Sequence, residues 1–255
     1  MRHQVAQQQV RPRKSAEIIA GHLRLAIVNG EIAKGEMLPV ERDLIESFGV
    51  SRATMREALR ILESEGLLEV TRGARGGARV VGPTLALAAH AVGMVLQAED
   101  TRLADVQVAR QVIEPPAARM VAERPRRERK AIVVALRAKV DAQRAALDSA
   151  EYPFLTMTFH EALVQFSGNR TLSTFLLVLH EIHEGVAAHL SRQATGTNVR
   201  ERVINYHERL IELIDAGDGA AAESLWREYW QWILPYTHPE DAIVDVLGRL
   251  GEGGD

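Results

Sequence analysis

Cysteine is absent from the 255 residues, which excludes disulfide bonds, thiolate metal ligands and a cysteine nucleophile. Aromatic residues make up only 5% of the chain. No apolar run reaches the roughly 18 residues that span a bilayer, and the longest central stretch, Leu85 to Leu96, contains His90. The amino terminus carries charge but lacks the apolar core of a secretory signal. These absences predict a soluble cytoplasmic protein with no membrane partner.

Charge is unevenly distributed along the chain. Residues 1–83 hold 13 Lys and Arg against 10 Asp and Glu, whereas the whole chain holds 31 against 34. The amino-terminal third is therefore slightly basic and the remainder acidic. This asymmetry is typical of a nucleic-acid-binding module joined to an acidic partner domain.

Three helices and a hairpin are predicted in the first 80 residues. The helices cover about 15–29, 40–48 and 51–66, because glycines punctuate an apolar pattern of helical period. Ser51 is the predicted cap of the third helix. Two short strands, LLEVTR and ARVV, flank the turn RGARGG. Short helices joined by a tight turn and followed by a hairpin predict a winged helix-turn-helix.

The start of the third helix carries the predicted DNA chemistry. Arg52, Thr54 and Arg56 occupy its first two turns, where a recognition helix meets the major groove. An arginine fork matches guanine O6 and N7 or a phosphate, and Ser51 can bind a phosphate at the positive helix end. Arginines and glycines of the hairpin turn suit close approach to the DNA backbone.

The string GEIAKGEMLPVERDLIESFGVSRATMREALRILESEGLLEVTRGARGGARV resembles the winged helix of GntR-type regulators. It fills almost every position of G-x-[LI]-x-x-G-x-x-LP-x-ER-x-L, of GVSR-x-[TP]-[VM]-REAL and of the closing glycine-rich wing. The resemblance implies operator contacts at Arg42, Ser51, Arg52, Thr54, Arg56, Arg72 and Gly73. To these contacts we add the wing residues Arg75 and Gly77.

The remaining chain reads as helices with no convincing strand alternation. A linker or connecting helix is expected at 83–100, followed by a helix interrupted at Pro115–Pro116 and five more amphipathic helices. Their apolar stripes predict an antiparallel bundle. The fold class is thus mainly α, with an amino-terminal winged helix-turn-helix and a carboxy-terminal all-α antiparallel helical bundle.

The bundle resembles the FCD effector domain of the FadR subgroup of GntR regulators. The resemblance rests on Arg110 and Glu114 in an R-x-x-x-E pattern, on FHEALVQFSGN and on YHERLIELIDAGD. It implies a ligand-sensing and dimerisation domain. The expected effector-binding residues are Arg110, His160, Asn169, His207 and Tyr229, with Asn169 expected to cap or brace a helix of the pocket.

Many members of that subgroup bind a divalent metal through an Asp-x-x-x-His pair and two further histidines. His160 and His207 match two of those ligands, but Thr156 stands in place of the aspartate and Tyr229 near the last histidine. A hydroxyl and a phenol are poor zinc ligands, so no cofactor is certain and a zinc-like ion is left open. His180 and His183 offer a rival cluster, or are simply buried histidines.

Loss of the metal anchor favours an apolar effector. A fatty acid or acyl-CoA gains about 0.8 kcal/mol per buried methylene, and Arg110 could pair with its anionic group. A metal-anchored small carboxylate or sugar acid is the alternative. The expected partners are therefore operator DNA, a small-molecule effector and a second copy of the chain in a homodimer.

Two other classes of function are disfavoured. A metal-dependent enzyme is a remote alternative, because the chain has no H-E-x-x-H, G-x-S-x-G, Walker A or dinucleotide fingerprint. A sequence-independent architectural DNA binder conflicts with the acidic carboxy-terminal domain. The predicted segments are a flexible terminus at 1–14, the winged helix at 15–82, the linker at 83–100, the sensing domain at 101–236 and a mobile acidic tail at 237–255.

Overall fold

A computed structural model describes residues 12–71, 76–187, 196–236 and 242–246. The chain divides into two compact units, Met1–Leu87 and Ala88–Asp255. The first unit contains α1 (Pro12–Val28), α2 (Glu41–Phe48), α3 (Arg52–Ser64), β1 (Leu68–Thr71) and β2 (Gly77–Val80). The connecting helix α4 (Leu85–Ala98) follows, and the second unit continues with α5 (Leu103–Ala122), α6 (Arg126–Ala145), α7 (Tyr152–Phe166), α8 (Arg170–Ala187), α9 (Thr197–Ala216) and α10 (Gly219–Ile233). This architecture confirms the predicted fold class.

Helix α1 packs against α3 to form the core of the first unit. Apolar side chains at helical spacing on α1 meet the apolar face of α3, and all are buried: Ala16, Ile19, Ala20, Leu23, Ile27, Met55, Ala58, Leu59 and Leu62. Helix α2 ends at Gly49, which has a φ of 63° and so adopts the left-handed conformation that glycine tolerates best. This tight turn brings α3 directly after α2, as the helix-turn-helix prediction requires.

The hairpin has antiparallel register from Leu68 opposite Val80 to Thr71 opposite Gly77. An isolated bridge joins Met37 to Arg79 and anchors the segment before α2 to the outer strand. Leu68 and Val80 face the core, so the hairpin is fixed at its base.

Helix α5 lies at the centre of the second unit, where it packs against α7, α8, α9 and α10. Ala117, Ala118, Val121 and Ala122 are fully buried on α5. The small side chains of the three alanines allow the neighbouring helices to approach closely. Within the described residues, no helix is long and apolar enough to cross a membrane.

The predicted interruption of this helix at Pro115–Pro116 is wrong. Helix α5 continues through both prolines to Ala122. Each proline removes one backbone donor and crowds the preceding turn, a local cost of about 3 kcal/mol. Burial of the surrounding residues against four helices offsets that cost, so tertiary packing overrides the local preference.

The predicted mobility of the acidic tail is wrong for residues 242–246. The backbone N–H of Leu103 donates to Ala242 at 2.7 Å, and that of Val244 donates to Thr101 at 2.9 Å. The Val244 side chain is fully buried. Ala242 and Val244 are buried whereas Ile243 and Asp245 are partly exposed, and Ile243 forms an isolated bridge with Arg102, so the segment lies extended beside the start of α5.

Candidate DNA-reading surface and effector site

Helix α3 begins at a capped serine. The Ser51 Oγ accepts the backbone N–H of Thr54 at 3.2 Å, and the two hydroxyl oxygens lie 2.9 Å apart. This capping fixes the first turn of α3 and keeps both hydroxyls at its positive end. Both predicted DNA-contacting hydroxyls therefore lie at the same end of the predicted recognition helix.

Three predicted DNA-reading arginines are solvent-exposed. The exposed fractions of the Arg42, Arg52 and Arg56 side chains are 84%, 71% and 65%. Arg52 and Arg56 lie one helical turn apart beside the buried face of α3, and both side chains remain in solvent. Their guanidinium groups form a cationic edge that suits guanine or phosphate.

One carboxylate on α2 contacts two of the three arginines of α3. Glu41 Oε1 lies 3.1 Å from the Nε of Arg56 and 3.5 Å from the Nε of Arg52. Arg42 pairs instead with its neighbour Asp43 at 3.2 Å. The contact of Glu41 with two of the predicted DNA-reading arginines was not foreseen from the sequence.

The wing is described only at its base. Gly77 pairs with Thr71 as the last residue pair of the hairpin. Arg79 donates from Nη1 to the carbonyl of Gly35 at 2.9 Å, so it braces the hairpin. The predicted contacts Arg72, Gly73 and Arg75 lie outside the described residues.

A buried carboxylate organises the interior of the second unit. Glu114 of α5 is fully buried, and its Oε2 accepts hydrogen bonds from the indole N–H groups of Trp226 at 3.0 Å and Trp230 at 3.2 Å. The same oxygen lies 2.6 Å from His160 Nδ1. Its Oε1 pairs with Arg110 at 3.1 Å. Both oxygens are therefore occupied by groups from α5, α7 and α10.

Glu114 is ionised despite its burial. Burial by itself would raise the pKa of this carboxyl, but the charges of His160 and Arg110 outweigh it and lower the pKa to about 2. Arg110 also donates to Gln107 at 3.2 Å and lies 4.6 Å from the Trp230 ring centre. The predicted anchor for an effector anion is thus already neutralised by an internal carboxylate.

His207 is held with one ring nitrogen satisfied and the other open. Its Nδ1 lies 2.9 Å from the amide oxygen of Gln143, and its ring stacks on Phe159 at 3.9 Å. Among the described residues, its buried Nε2 has no hydrogen-bond partner. Burial holds the pKa of His207 well below its usual range, so the ring is neutral near pH 7.

Tyr229 and Thr156 both form contacts that differ from those of metal ligands. The Tyr229 hydroxyl lies 3.2 Å from His160 Nε2. Burial and then the Glu114 charge raise the pKa of Tyr229 far above its ordinary value. Thr156 donates to the carbonyl of Tyr152 at 3.0 Å.

These residues do not fit the metal site that the resemblance implies. His207 Nε2 is one open ligand, whereas His160 Nε2 faces a neutral phenol and Glu114 has no free oxygen. Across the side chains that the structure describes, no group of three or more His, Cys, Asp or Glu is placed to hold a metal ion. A zinc-like ion usually needs at least three protein ligands.

The remaining candidates lie around this cluster. Asn169 begins α8, where its Oδ1 accepts the backbone N–H groups of Thr171 at 3.1 Å and Leu172 at 3.2 Å. His180 is buried, with its Nδ1 3.1 Å from Glu161. Asn169 therefore acts as a helix cap, and His180 as a buried histidine with a carboxylate partner.

Sequence reasoning missed the two buried glutamines. Gln107 and Gln143 are 1% and 0% exposed and hold Arg110 and His207. Gln143 follows Leu136 and Val140 on the apolar face of α6. A polar side chain on an apolar stripe was the signal that could have identified it.

The comparisons with known proteins match both halves of the chain. Residues 15–80 match the bacterial regulatory proteins of the gntR family, and residues 105–231 match the FCD domain. Together these two matches include most of the chain.

Similar full-length proteins are named as regulators. The chain is 26% identical over 221 residues to the HTH-type transcriptional regulator YieP of Escherichia coli, a match covering 85% of this chain and 93% of that protein. It is 28% identical over 206 residues to the regulator LutR of Bacillus subtilis, covering 78% and 90%. It is 30% identical over 161 residues to the transcriptional repressor NanR of Cronobacter sakazakii, covering 62% and 60%. A solved GntR structure from Streptococcus agalactiae, 24% identical, covers 87% of this chain and 99% of its own length with a TM-score of 0.68, which shows a shared fold.

Proposed function

We propose that this chain, which belongs to the GntR family of bacterial regulatory proteins and carries an FCD domain, is a repressor that binds a pseudo-palindromic operator as a homodimer. Membership of this family makes it a ligand-responsive, DNA-binding transcription regulator and not an enzyme, in agreement with the sequence prediction. Repression, the dimer, the cytoplasmic location and the identity of the effector belong to the proposal. The FadR subgroup stays a prediction.

The observation that carries the DNA-binding proposal is the cationic edge of α3. Arg52 and Arg56 project from its first two turns, and Arg42 is exposed on α2. In the proposed complex these arginines read base edges, while Ser51 and Thr54 contact phosphate. The wing residues Arg72, Gly73, Arg75 and Gly77 are proposed to contact the adjacent backbone.

Selection from a pool of randomised duplexes tests this proposal, with enriched sequences measured by fluorescence anisotropy. Arg52→Ala and Arg56→Ala are each expected to weaken binding to the enriched sequence about 5- to 150-fold, the equivalent of about 1–3 kcal/mol. Arg60→Ala is the matched control. Arg60 is also exposed on α3, but it lies one turn beyond Arg56 and pairs with Glu57. Equal losses for all three variants would contradict a specific reading role.

For the effector, we propose an acyl ligand such as a fatty acid or acyl-CoA. Two contacts support this choice: Arg110 is neutralised by Glu114, and the Tyr229 hydroxyl faces the nitrogen of His160 that would otherwise bind an ion. Among the described residues of this cluster, a small carboxylate would therefore find Arg110 already paired and no set of metal ligands to anchor it. Arg110, His160, Asn169, His207 and Tyr229 remain the proposed effector-responsive residues, through contact or through the packing of the bundle.

Effector binding is proposed to act by a population shift. In the proposed dimer, the two winged helices bind the two half-sites of the operator in one conformational state and are wrongly spaced for them in another. A ligand that binds more tightly to the second state lowers the affinity for the operator. Native mass spectrometry of protein purified without chelator, compared with its denatured mass, tests the dimer and the ligand together. A metal-free dimer carrying a releasable lipid-sized mass is expected. One metal ion per chain would instead favour the small carboxylate or sugar acid, and a monomer would contradict the dimer.

A further inference from the structure

Glu41 contacts two of the three helix arginines that are proposed to read DNA, Arg52 and Arg56. It is the first residue of α2, and its carboxylate reaches across the turn to α3. Its oxygens accept from Arg56 Nε at 3.1 and 3.3 Å and lie 3.5 Å from Arg52 Nε. Arg52 and Arg56 are separated by one helical turn, so a single carboxylate can reach both.

The contacts use one edge of each guanidinium. Arg56 donates to Glu41 through its Nε, and the nearest approach of Arg52 to Glu41 is also through Nε, so among the described residues no hydrogen bond from these arginines to Glu41 uses a terminal Nη atom. An arginine reads guanine with a planar fork of two donors, so it matters which edge is available. The hydrogen bonds hold the Arg56 guanidinium against Glu41, and the 3.5 Å ion pair places Arg52 beside the same carboxylate.

The charge of Glu41 has a second consequence. A carboxylate beside the recognition arginines is repelled by phosphates and competes with them for the same cations. Both effects weaken attachment to any duplex, whereas pre-oriented arginines favour a duplex with guanines at the matching positions. The carboxylate thus acts against random DNA more than against the operator.

We propose that Glu41 is a specificity-determining positioning residue: its carboxylate orients Arg52 and Arg56 and lowers the affinity for non-operator DNA. This inference rests on the proposed DNA-binding function. It assigns discrimination between sequences to an acidic side chain on α2 that itself needs no contact with a base.

Glu41→Gln tests the inference, because glutamine keeps the size of the side chain and removes its charge. The Kd of the full-length protein is measured for the duplex that the wild type enriches and for a shuffled duplex of the same composition. We expect the ratio of the Kd for the shuffled duplex to the Kd for the enriched duplex to fall about tenfold. Binding to the shuffled duplex should also depend more strongly on salt. The slope of log K against log salt should steepen by up to about 0.9, which corresponds to one additional phosphate contact.

Glu57→Gln is the matched control. Glu57 is also an acidic residue of the same unit, and its partner Arg60 lies deeper on α3. This variant removes the same charge and should leave the Kd ratio at the wild-type value. Circular dichroism confirms that both variants are folded.

The outcomes separate the inference from the function on which it rests. A wild type that enriches no sequence contradicts the proposed function itself. If the wild type enriches a sequence, the role of Glu41 is overturned by either of two results. The Kd ratio of Glu41→Gln equals that of the wild type, or it changes as much as the ratio of Glu57→Gln does. A ratio that falls only in Glu41→Gln supports it.

Discussion

Replacing Glu114 by glutamine should strongly destabilise the helical domain. The carboxylate is fully buried and binds Arg110, His160, Trp226 and Trp230. Glutamine keeps the shape but removes the charge, which leaves a buried guanidinium with only the Gln107 amide and an indole face. Breaking a buried ion pair in this way costs about 3–5 kcal/mol.

Urea unfolding followed by tryptophan fluorescence measures this loss. The chain has three tryptophans, Trp226, Trp230 and Trp232, and all of them lie in the helical domain. The signal therefore reports this domain and not the winged helix. With a slope of about 2 kcal/mol per molar urea, the midpoint should fall by about 1.5–2.5 M.

The pair Arg144–Glu208 provides the matched control. Its side chains are 55% and 46% exposed and their nearest charged atoms lie 2.6 Å apart. Because water screens such a pair, Glu208→Gln should cost no more than about 1 kcal/mol. A loss below about 1 kcal/mol for Glu114→Gln as well would refute the conclusion that Glu114 is an ionised, fully bonded carboxylate.

The double variant Arg110→Met with Glu114→Leu gives a second check on the same reasoning. For an isolated buried pair, apolar replacement of both partners is often neutral or stabilising. Here it would leave the His160 Nδ1 and two indole N–H groups without an acceptor, at about 1–3 kcal/mol each. The double variant should therefore remain destabilised, and recovery to wild-type stability would show that the two indole contacts contribute little.

Three further predictions concern other parts of the chain. Burial lowers the pKa of His180 and His207, so these histidines take up protons in the unfolded chain before they do in the folded one as pH falls below about 6.5. The free energy of unfolding, measured in urea, should therefore decrease as pH falls through that range. His207→Phe removes one of these groups and should make the decrease smaller. Ser51→Ala should lower the stability of the winged helix by about 1 kcal/mol in thermal unfolding, whereas an unchanged melting temperature would contradict the cap. Val244→Asp places a charge at a fully buried position and should detach the segment 242–246 from the start of α5. Limited proteolysis should then cleave this segment faster in Val244→Asp than in the control Asp245→Asn.

Local patterns sufficed to predict most helices and the hairpin. Apolar spacing, glycine breaks and the Ser51 cap act over a few residues, and α2 and α3 lie within two residues of their predicted bounds. Continuity of α5 could not be predicted this way, because the penalty at Pro115–Pro116 is local while its compensation comes from distant helices.

The candidate site was only partly predictable for the same reason. His160, His207 and Tyr229 were identified from the resemblance to the FCD domain, and the structure brings all three together. The partners that decide their chemistry come from other helices: Glu114 satisfies His160, and Gln143 satisfies His207. Their pairings are 46 and 64 positions apart, so no local pattern contains them.

The docked segment 242–246 also imposes an order on folding during synthesis. Gln97 donates to Asp245 across 148 positions, and a Cβ added at Gly93 would lie 2.6 Å from Val246. The winged helix closes through contacts within the first 80 residues and can form early on the ribosome. The junction of α4 with α5 must wait until residue 246 has left the exit tunnel. A nascent regulator therefore has a complete DNA-binding module before its connecting helix is fixed in place, and that interval is open to chaperones and proteases.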